Sequence, residues 1–183
     1  MTGIKFLDIL RMDDQIKEKT RLWRNKKDVR LSMLNQHIIS KNEHLKWLEK
    51  LEKNGNTKFW IVFTDNIPIG TAYLTNMNYE ALSSEWGFYI GEDTHRGKGL
   101  SKSILQYLMN IFFGEMKFRL LITKVLSTNT RAVGIYKKFG FRKKNRLTCD
   151  GKKDVIIFEF TDKDWMTYKK RNLKVLPKWR LGH

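Results

Sequence analysis

The sequence has one cysteine and two prolines in 183 residues. A lone thiol, Cys149, cannot close an internal disulfide, so the fold must rest on its apolar core. Four histidines are scattered along the chain without the spacing that zinc requires, and a metal-free protein is expected. No window approaches the ~20 apolar residues that cross a bilayer, which predicts no membrane span. The opening "MTGIKFLDILRMDD" breaks its apolar run at Asp8, which argues against a signal peptide and for a cytoplasmic location. Repeats and linkers rich in proline or serine are missing too, so one domain is expected. At 41% hydrophobic and 13% aromatic, the chain has enough to bury a sizeable core, which excludes disorder.

Acidic residues are scarce. Nineteen Asp and Glu stand against 36 Lys and Arg, a formal net charge of +17. Clusters such as "RKKNR" (Arg142–Arg146) and "YKKRNLK" (Tyr168–Lys174) predict attraction to polyanions: nucleic acid, anionic lipid or a phosphorylated small molecule. A lysine-rich solvated surface is the alternative reading. The sign counts against a polycationic substrate, which would be repelled on approach.

The apolar pattern gives the elements. Ile4 to Ile9 reads as a strand, followed by a polar helical stretch toward Trp23-Arg24-Asn25. Asn42 is a suitable N-cap for a helix carrying Leu45, Leu48 and Leu51. "KFWIVFT" (Lys58–Thr64) and "IPIGTAYLTNM" form a hairpin across Asp65-Asn66, and "SEWGFYI" (Ser84–Ile90) is a further strand. Leu100, Ile104, Leu108, Ile111 and Phe112 recur at helical spacing. "RLLITKVL" (Arg119–Leu126) reads as a buried strand. A helix over Thr130–Phe139 stops at Gly140, and Phe141–Phe160 is a hairpin turning at Asp150-Gly151. Thr161 or Asp162 caps a short helix with Trp165 inward. The fold class is therefore α/β: one mixed parallel and antiparallel sheet flanked by helices.

The stretch "THRGKGLSKSI" lies between a strand and a helix. A Walker A loop needs four residues between its first glycine and Gly-Lys, but five separate Gly91 from Gly97-Lys98. A dinucleotide fingerprint needs a third glycine where Lys102 stands. What remains is Arg-x-x-Gly-x-Ser. Gly97 and Gly99 let backbone N–H groups approach a ligand, the helix N-terminus adds partial positive charge, and Arg96 and Lys98 add whole charges. The combination suits a pyrophosphate; a plain glycine turn capping a helix is the alternative.

"RGKGLS" resembles the Arg/Gln-x-x-Gly-x-Gly/Ala loop with which GNAT-family N-acetyltransferases seat the pyrophosphate of acetyl-CoA, with Ser101 in place of the final small residue. "NTRAVGIYKKFGF" (Asn129–Phe141) is similar to the same family's Asn-x-x-Ala-x-x-x-Tyr-x-Lys-x-Gly-Phe segment. The order of elements agrees over nearly the whole chain. The resemblance implies the GNAT fold over residues 1–160, with 161–183 a basic C-terminal extension. It also implies acetyl-CoA as cosubstrate without a metal. Its cofactor-binding residues would be Phe88, Tyr89 and Ile90 on the fourth strand, Arg96, Gly97, Lys98, Gly99, Leu100 and Ser101 in the loop, and Asn129.

Acetyl transfer to an amine needs a deprotonated nitrogen, a polarised carbonyl, an aligned pair and a protonated leaving thiolate. The resemblance implies that Tyr136 protonates the thiolate; a tyrosine with pKa ~10 still carries its proton at neutral pH. Glu85 is the candidate base, acting directly or through water, against the alternative of a solvated edge glutamate. His95 abuts the phosphate loop, away from the amine, and is not taken as catalytic.

The segment Trp23–Leu51 resembles one subgroup, the UDP-4-amino-4,6-dideoxy-N-acetyl-β-L-altrosamine N-acetyltransferases of pseudaminic acid biosynthesis, through Arg24, Asn25, Met33, Ile39 and His44. In this subgroup Arg24 and His44 would grip nucleotide phosphates or base. Met33 and Trp47 would offer apolar contact, and Thr75 and Tyr89 would face the nucleotide sugar. Glu85 stands where the subgroup can carry an aromatic. The implied partners are an anionic nucleotide sugar and acetyl-CoA, with a homodimer left open and no specific nucleic acid. Two rivals stand beside this reading: acetylation of protein N-termini or lysines, as by the ribosomal-protein acetyltransferases, and a non-catalytic, basic nucleic-acid-binding module.

Overall fold

The computed structural model describes residues 3–149 and 153–172. Its strands are β1 (Ile4–Asp8), β2 (Lys58–Thr64), β3 (Ile67–Asn78), β4 (Ser83–Ile90), β5 (Leu120–Leu126), β6 (Arg142–Cys149) and β7 (Lys153–Thr161). Its helices are α1 (Asp14–Asn25), α2 (Lys27–Leu31), α3 (Lys41–Lys53), α4 (Leu100–Met109), α5 (Thr130–Phe139) and α6 (Asp162–Asn172). The strands form one sheet in the order β1-β2-β3-β4-β5-β7-β6. β4 and β5 run parallel, while β1–β2, β2–β3, β5–β7 and β6–β7 run antiparallel. This is the mixed α/β sheet of the sequence reading. Two compact units divide the described residues: 3–76 with 87–100, and 77–86 with 101–149 and 153–172.

In the first unit, β2 and β3 join through a two-residue turn in which Asp65 and Asn66 both have positive φ, 49° and 63°. Asn and Asp tolerate that region, and such a turn matches the twist of the strands it joins. Beneath the hairpin, Ile9, Leu48, Leu51, Ile61 and Phe63 form a buried cluster. β1 ends at Asp8, because the Asp8 carboxylate accepts from Leu10 N–H at 2.9 Å and starts a 3₁₀ turn at Ile9. α1 is capped by Asp13, whose side chain accepts from Ile16 N–H at 2.8 Å. The N-cap of α3 lies two residues before the expected Asn42. Ser40 is the N-cap, and Glu43 reaches back to the Ser40 N–H at 2.7 Å, completing a capping box. The short helix α2 was not anticipated.

In the second unit, α5 ends where expected. Gly140 takes φ 101°, and its N–H donates to Tyr136 and Lys137 carbonyls. α6 begins after Thr161, whose hydroxyl and backbone N–H both donate to Asp164, while Asp164 N–H donates back to the hydroxyl. Trp165 and Tyr168 stack on Phe139 with ring centroids 6.5 and 4.2 Å away, so the first part of the basic extension is docked. The Asp150-Gly151 turn and residues 173–183 lie outside the described residues. Among the described residues no helix is long and apolar enough to cross a membrane.

Candidate active site

After β4 the chain makes a 3₁₀ turn over Asp93–His95, and α4 starts at Leu100. Between them Gly97 and Gly99 adopt φ 77° and 76°. A Cβ at either position would meet no atom within 4 Å, so backbone conformation, not crowding, calls for glycine here. The same openness leaves the loop amides approachable by a diphosphate. Lys98 is exposed. Arg96, expected to lend its charge to the ligand, is turned into the protein instead. Its Nε donates to the Ile90 carbonyl at 2.9 Å, and Nη1 pairs with Asp28 and, at 3.1 Å, with Asp93. Lys26 adds a second tie, donating to the Gly91 carbonyl at 2.8 Å and to Asp93 at 2.9 Å. These contacts fasten the loop to β4 and to the start of α2.

The first unit holds a cavity of about 390 Å³. All six residues singled out for the acceptor line it: Arg24, Met33, His44, Trp47, Thr75 and Tyr89. Sequence reasoning missed Phe59 and Tyr73. The signal was available: Tyr73 shares the face of Thr75 by strand alternation, and Phe59 is its partner in the β2–β3 register. Together these side chains make a continuous aromatic wall. His44 stacks on Trp47 at 5.4 Å, Trp47 meets Phe59 edge-on at 4.8 Å, and Phe59 stacks on Tyr73 at 5.5 Å with 4° between planes.

Electrostatics divide the cavity lining. Burial lowers the Arg24 pKa; Tyr89 and Tyr73 act against that, and Arg30 adds to it. Arg24 donates from Nη2 to the Asn35 carbonyl, whereas its buried Nη1 has no hydrogen-bond partner among the described residues. Burial also raises the pKa of Tyr73 and of Tyr89, keeping both phenols protonated donors. His44 is 5% exposed, and its Nε2 lies 2.9 Å from the Lys17 carbonyl. A carbonyl only accepts, so Nε2 carries the hydrogen. Burial lowers the His44 pKa, so the ring is neutral near pH 7 and Nδ1 is an acceptor. A neutral imidazole can accept from a base or amide N–H but offers no charge to a phosphate. Glu43, the carboxylate on the cavity lining, is engaged by Ser40 and by His37 at 3.3 Å, and those hydrogen bonds lower its pKa.

The second unit holds the proposed acid and base. Tyr136 is 5% exposed, meets Trp86 edge-on at 5.5 Å, and lies 5.3 Å from the Phe141 ring. Asn129 caps α5, its side chain accepting from Ala132 N–H at 3.1 Å, which is the helix-entry role. Glu85 accepts from Lys124 Nζ at 2.7 Å. Adjacent strand residues face opposite ways, so Glu85 and the Trp86–Tyr136 contact lie on opposite faces of β4. Phe88, Tyr89 and Ile90 are half-buried on β4 in the first unit. Among the described residues no three His, Cys, Asp or Glu side chains gather as they would around a metal ion.

A mixed sheet whose fourth strand leads through a two-glycine turn into a helix, beside an aromatic and cationic cavity, defines an acyltransferase. The acetyltransferase (GNAT) domain family matches residues 9–153, and the chain belongs to that family. It is an N-acetyltransferase that uses acetyl-CoA.

Among its relatives, acetyltransferase PseH of Campylobacter jejuni is 27% identical over 138 residues, covering 75% of this chain and 84% of PseH. A crystal structure of Campylobacter jejuni PseH with acetyl-CoA matches with a TM-score of 0.67 at 22% identity, over 87% of this chain and 99% of that one. Peptidyl-lysine N-acetyltransferase YjaB of Salmonella typhimurium is 30% identical over 132 residues, covering 70% of this chain and 78% of YjaB. Spermidine N-acetyltransferase from Vibrio cholerae, solved with CoA and spermine, shares the fold with a TM-score of 0.80 at 17% identity, covering 89% and 98%.

Proposed function

We propose that the acceptor is the amine of a nucleotide-linked amino sugar of the UDP-4-amino-4,6-dideoxy type. One observation carries the reading: the six residues to which that resemblance gives acceptor-facing roles, far apart in sequence, line a single cavity. The aromatic wall suits a base or sugar ring, and the unpartnered Arg24 Nη1 suits an anionic oxygen. A polyamine would need several carboxylates to receive it, and the cavity lining carries one, Glu43.

Acetyl-CoA supplies the acetyl thioester. The loop amides around Gly97 and Gly99, with Lys98, Leu100 and Ser101, hold the cofactor's diphosphate, and Phe88–Ile90 present backbone groups to its arm. Glu85 takes the proton from the acceptor nitrogen, directly or through water, as the new C–N bond forms. Tyr136 gives its proton to the sulfur as the C–S bond breaks. Met33 and Trp47 exclude water from the sugar, while Thr75 and Tyr89 orient it.

The similarity to a peptidyl-lysine acetyltransferase favours a second reading, a protein acceptor. Incubation with acetyl-CoA and either UDP-4-amino-4,6-dideoxy-N-acetyl-β-L-altrosamine or lysine peptides, followed by mass analysis, separates the two. The sugar is expected to gain one acetyl group. An unchanged sugar beside acetylated peptide overturns the proposal.

A further inference from the structure

The Tyr73 side chain belongs to no motif, yet the fold makes special room for it. Its ring stacks on Phe59 in the cavity wall, 5.5 Å away and nearly parallel. Its hydroxyl end lies over β4 at Gly87, where a Cβ would overlap the Tyr73 oxygen and ring edge. Gly87 is the residue that admits it. Tyr73 lines the cavity, and its hydroxyl has no hydrogen-bond partner among the described residues. A half-buried phenol with no protein partner keeps its O–H available to whatever fills the cavity, so a ligand oxygen can take the place of water there. Arg24 lines the same cavity and also has an unpartnered nitrogen, so two donors lack acceptors there.

We infer that Tyr73 is a specificity-determining residue for the acceptor, its O–H donating to an oxygen of the bound nucleotide sugar. The inference rests on the nucleotide-sugar reading. The oxygen belongs either to the diphosphate, beside Arg24, or to a sugar hydroxyl. Both offer a lone pair and no charge repulsion, whereas an ammonium offers no lone pair. The hydroxyl that Gly87 admits thus favours an acceptor that carries oxygen over a bare ammonium. Burial, which raises the Tyr73 pKa, keeps the hydroxyl a donor over the working pH range.

The test is Tyr73→Phe, which keeps the stack on Phe59 and removes one oxygen. With the UDP-amino sugar as substrate, KM for the sugar is expected to rise about 10-fold or more, as for one lost hydrogen bond to a buried or charged group. KM for acetyl-CoA and the melting temperature should stay put. UDP, used as a competitive inhibitor, tells the two sources apart: an equal loss of UDP affinity assigns the diphosphate, and an unchanged UDP affinity assigns a sugar hydroxyl. If wild type and Y73F turn over the sugar with the same KM, this inference is overturned and the nucleotide-sugar reading survives. If wild type fails to acetylate the sugar, both are overturned together.

Discussion

The two residues that most repay substitution are Tyr136 and His44. Tyr136 is held by ring contacts with Trp86, Phe141 and Phe158, none of which needs the hydroxyl. Tyr136→Phe keeps those ring contacts, so the variant should still fold. As the thiolate's proton donor it should also cost about 10²-fold or more in kcat, the usual worth of a general acid. Single-turnover kinetics at saturating acetyl-CoA read this directly, and an unchanged kcat would remove Tyr136 from the chemistry. His44 sets a pH dependence. Burial lowers its pKa below the ordinary 6.5, the Arg21 charge acts the same way, and the Lys17 carbonyl and Glu18 act against them. On acidification the unfolded chain takes up the proton first, so stability is complete above pH ~6.5 and is lost as pH falls toward the folded pKa. His44→Gln should flatten the fall in melting temperature between pH 7 and pH 5; an equal slope in both proteins would show that other groups carry it. At this scale the sequence was informative where a residue stood in a motif. Arg24, Met33 and His44 were placed on the cavity lining that way. Tyr73 was legible only as a wall residue, by alternation from Thr75; the room made for its hydroxyl at Gly87 shows only in the fold. Arg96 was read for its charge alone, since its partners Asp28 and Asp93 come together only through the fold.

Elements were legible in proportion to how local their signals are. β2 runs over the expected Lys58–Thr64, α5 over Thr130–Phe139, and the Asp65-Asn66 turn joins the hairpin as the pair predicts. The start of α3 moved because Ser40 and Asn42 are both good caps. Glu43 settles the choice, lying at the third helical position from Ser40, where its carboxylate can close the box. That cap also positions His44 and Trp47, which follow it within two turns on the cavity side. α2 was missed because five residues carry too little periodicity to register. The glycine loop yields a prediction of its own. Gly99 sits at φ 76° with open space where a Cβ would go, so Gly99→Ala meets no clash and costs only left-handed backbone strain, roughly 1–2 kcal/mol. The chain can avoid that strain by turning the loop amides away. KM for acetyl-CoA should then rise several-fold, and KM for the acceptor should not. Isothermal titration with CoA checks the first half; unaltered CoA affinity would mean that the loop does not hold the cofactor.

The whole molecule carries +17, and both substrates proposed for it are anions. Part of that charge is spent internally. On β6, Arg142, Lys144 and Arg146 pair with Asp164, Glu159 and Asp154, so the "RKKNR" run is less available to a polyanion than its composition suggests. Arg146 and Asp154 are both exposed enough that the pair contributes little to stability. Its effect is to quieten the outer strand of the sheet, where unpaired backbone would otherwise invite another chain. The remaining excess of lysine and arginine sets a long-range field, and long-range fields act on encounter rates more than on affinity. Raising ionic strength shortens the Debye length from about 10 Å at 0.1 M to about 3 Å at 1 M, so attraction beyond the contact shell disappears. For a diphosphate-linked sugar, kcat/KM should fall steadily with added salt while kcat at saturation holds. For a lysine peptide or a polyamine the sign reverses, because salt would screen repulsion. Initial rates across a sodium chloride series with the acceptor limiting and acetyl-CoA saturating isolate the acceptor's own response. A kcat/KM that climbs with salt would mean that the cationic surface opposes the true acceptor, and the nucleotide-sugar assignment would fall with it.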